Sequence, residues 1–329
     1  MGGWFNPGAL TPARFADGFE RVNGIHSGFR RNHAKGVCVS GSFESNGRGT
    51  QLSKAVAFEA GRIPIIGRFS LGVGTPDAVD EPDAVRGLGL LFKLPDGEEW
   101  RTAMVNLPVF PFKTPQAFYD RLIATQPDPS TGKPDPEKMA AFLASHPETV
   151  QATKIIQSHP LSSGFENSPF YGLNAFWFMD ASGTSTPVRW SLAPLQPFAP
   201  ANTTGPAPPD KNYMFDALIA GILRQPLQWQ LIVTIGQAGD PTNDATIPWP
   251  DAREQVDVGT LTLDHVEGES DDANSCRDVN FDPLVLPEGI APSDDPLLSA
   301  RSAVYSQSFT RRAGEKKLPS PVAPSEVQK

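Results

Sequence analysis

The chain has 329 residues, 28 Lys and Arg against 37 Asp and Glu for a formal charge of −9, and 39% hydrophobic residues. That size and balance belong to a globular protein with a sizeable buried core. A net negative charge argues against a nucleic-acid or anionic-membrane partner, because either needs clustered Lys and Arg to displace counterions. Only Cys38 and Cys276 are present, which excludes a CxxC metal or redox pair and a disulfide framework, and Cys38 in "GVCVS" reads as a small buried apolar residue. No run approaches the roughly 20 apolar residues of a membrane span, and "MGGWFNPGAL" has neither a basic n-region nor an apolar h-region. The sequence therefore reads as soluble, cytoplasmic, or periplasmic if a leader has been removed.

From residue 33 onward, short strand-like runs alternate with Gly and Pro: "AKGVCVSGSFES", "RIPIIGRFSLGVG", "VRGLGLLFKLPDG" and "EWRTAMVNLPVF". Period-2 aromatic and β-branched residues with a hairpin turn at "LPDGEEW" predict an antiparallel meander. "TPQAFYDRLIATQ" opens with a Thr cap and Pro at the first helical position. Together with the segment "PDPEKMAAFLASHPETVQATKIIQSH", interrupted at Pro147, it predicts a helical insertion. Strand character returns in "SPFYGLNAFWFMD", "PVRWSLAPLQ", "QWQLIVTIGQ" and "GTLTLDHVE", making about eight candidate strands, a natural number for a closed barrel.

The Pro-rich segment 194–212 reads as an extended connection and "YMFDALIAGILRQ" as an amphipathic helix. The acidic "HVEGESDDANSCRD" reads as a solvated loop, since it lacks the Gly and final Glu of a calcium loop. A capped helix is predicted from "SDDPLLSARSAVYSQSFTRR", followed by a disordered tail over 315–329. No G-x-G-x-x-G, Walker, H-E-x-x-H or G-x-S-x-G run occurs, so nucleotide-binding, zinc-protease and hydrolase readings have no anchor.

Two signals carry chemistry. His33 in "FRRNHAKG" is a lone imidazole between arginines and a strand, a type of group that can shuttle protons near neutral pH. His26, His146, His159 and His265 sit at helix ends or in loops. Far along the chain, Arg301 and Tyr305 lie four apart on the last helix, so guanidinium and phenol share a face, and a fixed cation is one of the few ways to favour a phenolate.

"R30-RN-HAKG", "RFS" at 68–70, "VRGLGLLFKLPDG", "NLPVF" from Asn106, "FYGLNAFWFMD", "FDPLVLPEGIAPSDDPLL" and "R-SAV-Y" at 301–305 occur in the order found in haem catalases. The sequence resembles that family over residues 18–313, and within it is most similar to the short catalase-related peroxidases. The resemblance implies an α+β fold: a catalase-like eight-stranded antiparallel β-barrel with surrounding helices and a buried haem b. It implies a haem domain over 18–314, preceded by an N-terminal segment over 1–17. Tyr305 is then the proximal ligand to iron, with Arg301 stabilising its charge. His33 and Asn106 stand on the distal face, Ser70 orients the imidazole, and Arg30, Arg68 and Arg312 pair with the haem propionates. Phe110, Phe118 and Val37 line or support the cavity.

The implied activity is a haem-dependent peroxidase reducing hydrogen peroxide or organic hydroperoxides through a ferryl intermediate, with weak catalase activity and a small-molecule electron donor. Alternatives of the same fold are a fatty-acid hydroperoxide-rearranging enzyme and a non-catalytic haem-binding barrel. Two departures bear on turnover: Asn32 stands where large catalases often have Val, which tilts the expectation toward peroxidase work, and Pro111 follows Phe110 where a second Phe is common. The chain looks shorter than a full catalase, so no NADPH is expected, and a monomer or homodimer is.

Overall fold

A computed structural model describes residues 9–204, 210–269 and 276–327. Its strands are β1 (Gly36–Ser45), β2 (Gly61–Leu71), β3 (Arg86–Lys93), β4 (Glu99–Val105), β5 (Phe170–Tyr171), β6 (Phe176–Met179), β7 (Ser185–Pro194), β8 (Leu227–Ile235), β9 (Gln255–Glu267) and β10 (Ile290–Pro292). Every pairing is antiparallel. The order β5-β4-β3-β2-β1-β9-β8 closes through β7, which pairs with both β8 and β5, so eight strands form the expected barrel; β6 and β10 extend it beside β7. Closure leaves no edge among those eight to recruit another chain.

Alternation of the side chains builds the core. Along β4 the pattern is strict, with Trp100, Thr102 and Met104 turned inward. They meet Phe69, Leu88, Leu90, Phe92, Trp190 and Trp229 from the neighbouring strands. Trp100 stacks on Phe92 at 4.6 Å, and the Trp190 indole donates to Thr102 Oγ1 at 3.1 Å, giving the buried N–H the partner it needs. Val37 belongs to this core, not to the cavity described below.

The helices are α1 (Pro12–Asn23), α2 (Pro115–Ala124), α3 (Pro136–Ser145), α4 (Pro147–Ser158), α5 (Tyr213–Arg224) and α6 (Pro296–Ala313), with a last turn α7 (Pro324–Val327). Thr11, Thr114, Asp135 and Asp295 cap α1, α2, α3 and α6 through side-chain oxygens, each followed by Pro. Among the described residues no helix is long and apolar enough to cross a membrane.

Four expectations differ from the structure. The run "SPFYGLNAFWFMD" is not one strand: it breaks between β5 and β6, where Leu173 takes a left-handed φ of 67°. The boundary drawn between residues 17 and 18 falls inside α1, whose Phe15 and Phe19 pack on Tyr119 and Leu122 of α2. Residues 315–327, polar enough to read as disordered, lie against the body: Glu315 pairs with Arg31, the Leu318 carbonyl accepts from Arg277, and Val322 is 1% exposed. Anchors from distant parts of the chain order this tail, and composition does not reveal them. The parts of the Pro-rich connection at 205–209 and of the acidic loop at 270–275 lie outside the described residues.

The fourth concerns the cysteines. Cys38 and Cys276, 238 residues apart in sequence, form a disulfide with Cα atoms 5.6 Å apart. Two cysteines allow one pairing only, but no local pattern brings them together; β1 and the loop after β9 meet in the closed barrel. Replacing both by Ser is expected to lower stability by about 2–5 kcal/mol, as loss of a native crosslink over a long loop does. Chemical unfolding with and without reductant measures it, and coincident curves would show the bridge to be dispensable.

Candidate active site

Residues of β2, β3 and β4 that turn away from the barrel interior form one wall of a cavity. Two cross-strand rows do this: Arg68, Gly89 and Ala103, and beside them Ser70, Gly87 and Val105. Because side chains alternate, Arg68 and Ser70 share a face while Phe69 between them is in the core. Glycine is required in the second row. A Cβ on Gly87 would come within 2.9 Å of the His33 ring and of Ser70 Oγ, so this strand position is kept bare to seat the imidazole.

The other wall is α6. Leu297, Ala300, Arg301, Val304, Tyr305, Ser308 and Arg312 line the cavity, a stripe at the spacing of one helical face. The helix is fastened to the barrel by Arg301, whose Nη2 donates to the Ala103 carbonyl at 2.8 Å, and by Ser302, whose hydroxyl donates to Asp282 at 2.7 Å. Phe15 and Phe19 of α1 line the cavity together with Phe110 and with Phe118 of α2, and the space enclosed is about 220 Å³.

His33 precedes β1 with a φ of 56°. A left-handed backbone is costly for a residue other than glycine, and such strain gathers at functional sites. Leu173, the other non-glycine residue with positive φ among those described, lines the same cavity. His33 Nδ1 is 2.9 Å from Ser70 Oγ, and its carbonyl accepts from Arg68 Nη1 at 2.8 Å. Burial, then the charges of Arg68, Arg30 and Arg301, push the imidazole pKa down to about 3. It is neutral at physiological pH, and when Nδ1–H donates to Ser70, Nε2 keeps its lone pair.

Tyr305 Oη lies 3.4 Å from Arg301 Nη2, the pair that helical spacing brings into register. Arg301 is itself held: its Nη1 donates to Asn174 Oδ1 at 2.6 Å, and Asn174 Nδ2 donates to Asp295 at 2.7 Å. Burial pushes the Asp295 carboxyl up, while it also caps α6 through the Leu297 N–H. Neither Asn174 nor Asp295 stood out in the sequence, which predicts only a capped helix at the latter. The available signal for Asn174 was a Gly and an Asn inside an otherwise apolar run.

Arg30, Arg68 and Arg312 all line the cavity, and Arg312 is 4% exposed with its pKa pushed down to about 10 by burial first and Arg68 second. Its neighbour Arg311 instead pairs with Asp17 and Glu20 of α1. Asn32 also lines the cavity. Asn106, just after Val105, is not among the residues lining the cavity; its Oδ1 accepts from the Arg86 N–H at 2.8 Å, leaving Nδ2 as its donor. His26, His146, His159 and His265 lie away from the cavity.

A family model described as Catalase matches residues 15–328. The chain belongs to the catalase family. It is 37% identical to a "Catalase-related peroxidase" of Synechococcus elongatus over 92% of this chain and 89% of that protein, and 30% identical to a protein of the same description from Mycolicibacterium paratuberculosis over 93% and 96%. Rat catalase is 28% identical over 88% of this chain but 57% of its own length. The fold is similar to that of a bacterial catalase structure, with TM-score 0.77 at 20% identity over 95% of this chain and 64% of that one. Catalase A of Saccharomyces cerevisiae gives TM-score 0.76 at 19% identity over 95% and 67%. The chain therefore spans nearly all of the short relatives but only about two thirds of these solved catalases.

Proposed function

We propose that this protein is a haem-dependent peroxidase that reduces hydrogen peroxide or an organic hydroperoxide using a small-molecule electron donor. At the coarser level it is a peroxide-degrading oxidoreductase of the catalase family. The observation that carries the finer reading is a neutral, hydrogen-bonded, backbone-strained imidazole, His33, in one cavity with a phenol beside a guanidinium, Tyr305 and Arg301. A simple haem carrier has no use for such a base.

The residues fit haem b by the chemistry of their donors. One phenol oxygen suits a ferric ion, apolar walls suit a porphyrin face, and guanidiniums suit its two carboxylates. Tyr305 would hold the iron, and Arg30, Arg68 and Arg312 the propionates. Bound there, haem b supplies the redox chemistry of peroxide cleavage.

The protein's part is proton transfer and placement. His33 Nε2 takes the proton of the peroxide and returns it to the oxygen that leaves as water or alcohol when the O–O bond breaks. Ser70 fixes the ring through Nδ1, and Asn106, which does not line the cavity, takes no part in this reading. Arg301, held by Asn174, keeps a positive charge beside the Tyr305 oxygen. The Phe15, Phe19, Phe110 and Phe118 rings exclude water and admit an apolar hydroperoxide. The Cys38–Cys276 bridge supports an oxidising compartment such as the periplasm over a reducing cytoplasm.

The test is an absorption spectrum of the haem-loaded protein during peroxide titration, with and without a phenolic donor. Donor-accelerated return of the resting spectrum is expected. A spectrum indifferent to peroxide would point to a carrier, and an isomerised lipid hydroperoxide formed without donor would point to rearrangement. Asn32 on the cavity wall makes a narrower prediction. Asn32→Val should raise oxygen release relative to donor oxidation at saturating hydrogen peroxide, and an unchanged ratio would remove Asn32 from the account.

A further inference from the structure

The arginine end of the cavity is bound to a carboxylate that the proposed proton transfer does not use. Glu269, 2% exposed, accepts from Arg68 Nε at 2.7 Å and Arg68 Nη2 at 3.0 Å, and from Arg30 Nη1 at 3.4 Å. Burial alone would push this carboxyl up, but Arg68, then Arg30 and Arg277, outweigh it and hold Glu269 below the ordinary carboxylate range. It is an anion at the centre of a buried cationic cluster.

The other donors of the cluster turn largely to carbonyls. Arg30 Nη2 donates to Cys276 and Val279, Arg68 to His33 and Ala34, and Arg312 Nη1 to Arg277 at 2.6 Å. Arg31, also on the cavity wall, is matched by Glu20 and Glu315. Arg30, Arg68, Arg277 and Arg312 gather around Glu269, with Asp278 4.0 Å from Arg312 as the further carboxylate, so the cluster keeps an excess of positive charge beside the cavity. Glu269 sits against the disulfide, its carboxylate and both sulfurs lying within 4.8 Å of one another, so the segment after β9 that carries it is anchored on β1.

We propose that Glu269 is an internal counter-ion that stands in for a haem propionate until the cofactor binds, holding Arg30 and Arg68 in position in the empty site. This rests on the haem reading above. Glu269 is a positioning residue: buried like charges repel strongly at low dielectric, so the cluster needs an anion to fold, and either Glu269 or a carboxylate of the cofactor supplies one. Its contribution is therefore largest in the haem-free protein and shrinks on loading. An ordinary structural ion pair would contribute equally to both forms.

The experiment compares thermal unfolding of the full-length wild type, Glu269→Gln and Glu269→Asp, each without cofactor, with haem, and with the dimethyl ester of the same iron porphyrin. Without cofactor, Glu269→Gln should unfold about 5 °C or more below wild type, as expected for a buried pair losing one partner, with Glu269→Asp between them. Haem should close most of that gap, whereas the diester, lacking the carboxylates, should leave it open. A Glu269→Gln chain that folds only when haem is present is the same result in extreme form. An equal gap in all three states, no gap at all, or a variant that fails to fold even with haem overturns the proposal. If the wild type binds neither porphyrin, the haem reading itself has failed, which is a separate result.

Discussion

Replacing His33 by Asn should lower peroxide turnover by about 10²–10⁴-fold, the range lost when a positioned acid–base group is removed, while the protein folds and still takes up cofactor. Asparagine is the informative substitute. It tolerates the left-handed backbone that His33 adopts at φ 56° and can still hydrogen-bond Ser70, but it cannot carry a proton. Stopped-flow measurement of the peroxide reaction gives the readout, and a variant as fast as wild type would remove His33 from the chemistry.

The same residue sets a pH dependence. Its folded pKa of about 3 lies below the usual 6.5, so between those values the unfolded chain binds the extra proton. The stability that comes from keeping His33 neutral is fully present above about pH 6.5 and is lost as pH falls toward 3. The stability of wild type relative to His33→Asn should therefore fall as pH drops from about 6.5 toward 3, and a difference that does not change with pH would overturn this. The base should also remain competent well below pH 6, where an ordinary histidine would already be protonated.

Tyr305→Phe should be as damaging by a different route. Tyr305 is the single phenol on the cavity wall, and the variant keeps the ring that Arg301 covers at 5.7 Å while losing the oxygen. Losing only a supporting partner costs a metal site about 10–100-fold, so losing the proposed ligand atom should cost more than that in turnover. The absorption spectrum of the haem-loaded protein should change as well. Wild-type spectrum and rate in Tyr305→Phe would mean that the iron is held elsewhere.

Much of this site was legible because its parts are local. The i,i+4 relation of Arg301 and Tyr305 and the caps of α6 follow from helical periodicity and short-range hydrogen bonding. The alternation of Arg68, Phe69 and Ser70 follows from the two-residue repeat of a strand. The motifs from Arg30 to Tyr305 lie in the chain order of the catalase family, so family membership and the set of candidate residues were also within reach.

Asn174 escaped because it lies in an apolar run that any propensity argument extends into a continuous strand. The break there presents Leu173 to the cavity and Asn174 to Arg301, contacts that only the folded chain makes. Glu269 escaped because an acidic loop is ordinarily solvated, and nothing in its neighbours announces arginines 201 and 239 positions earlier.

Local patterning fixes most of the elements, the caps of α2 and α6, the buried faces and the chemical groups on offer, because these depend on interactions within a few residues. Long-range packing is what brings Cys38 to Cys276, Asn174 to Arg301, and a buried Glu269 to the arginines. Each is a contact across a long loop, made when barrel closure brings β1, the break between β5 and β6, the segment after β9 and α6 together. Local pattern carries no record of such closure, because the energy that selects it comes from packing and charge pairing between residues far apart in the chain.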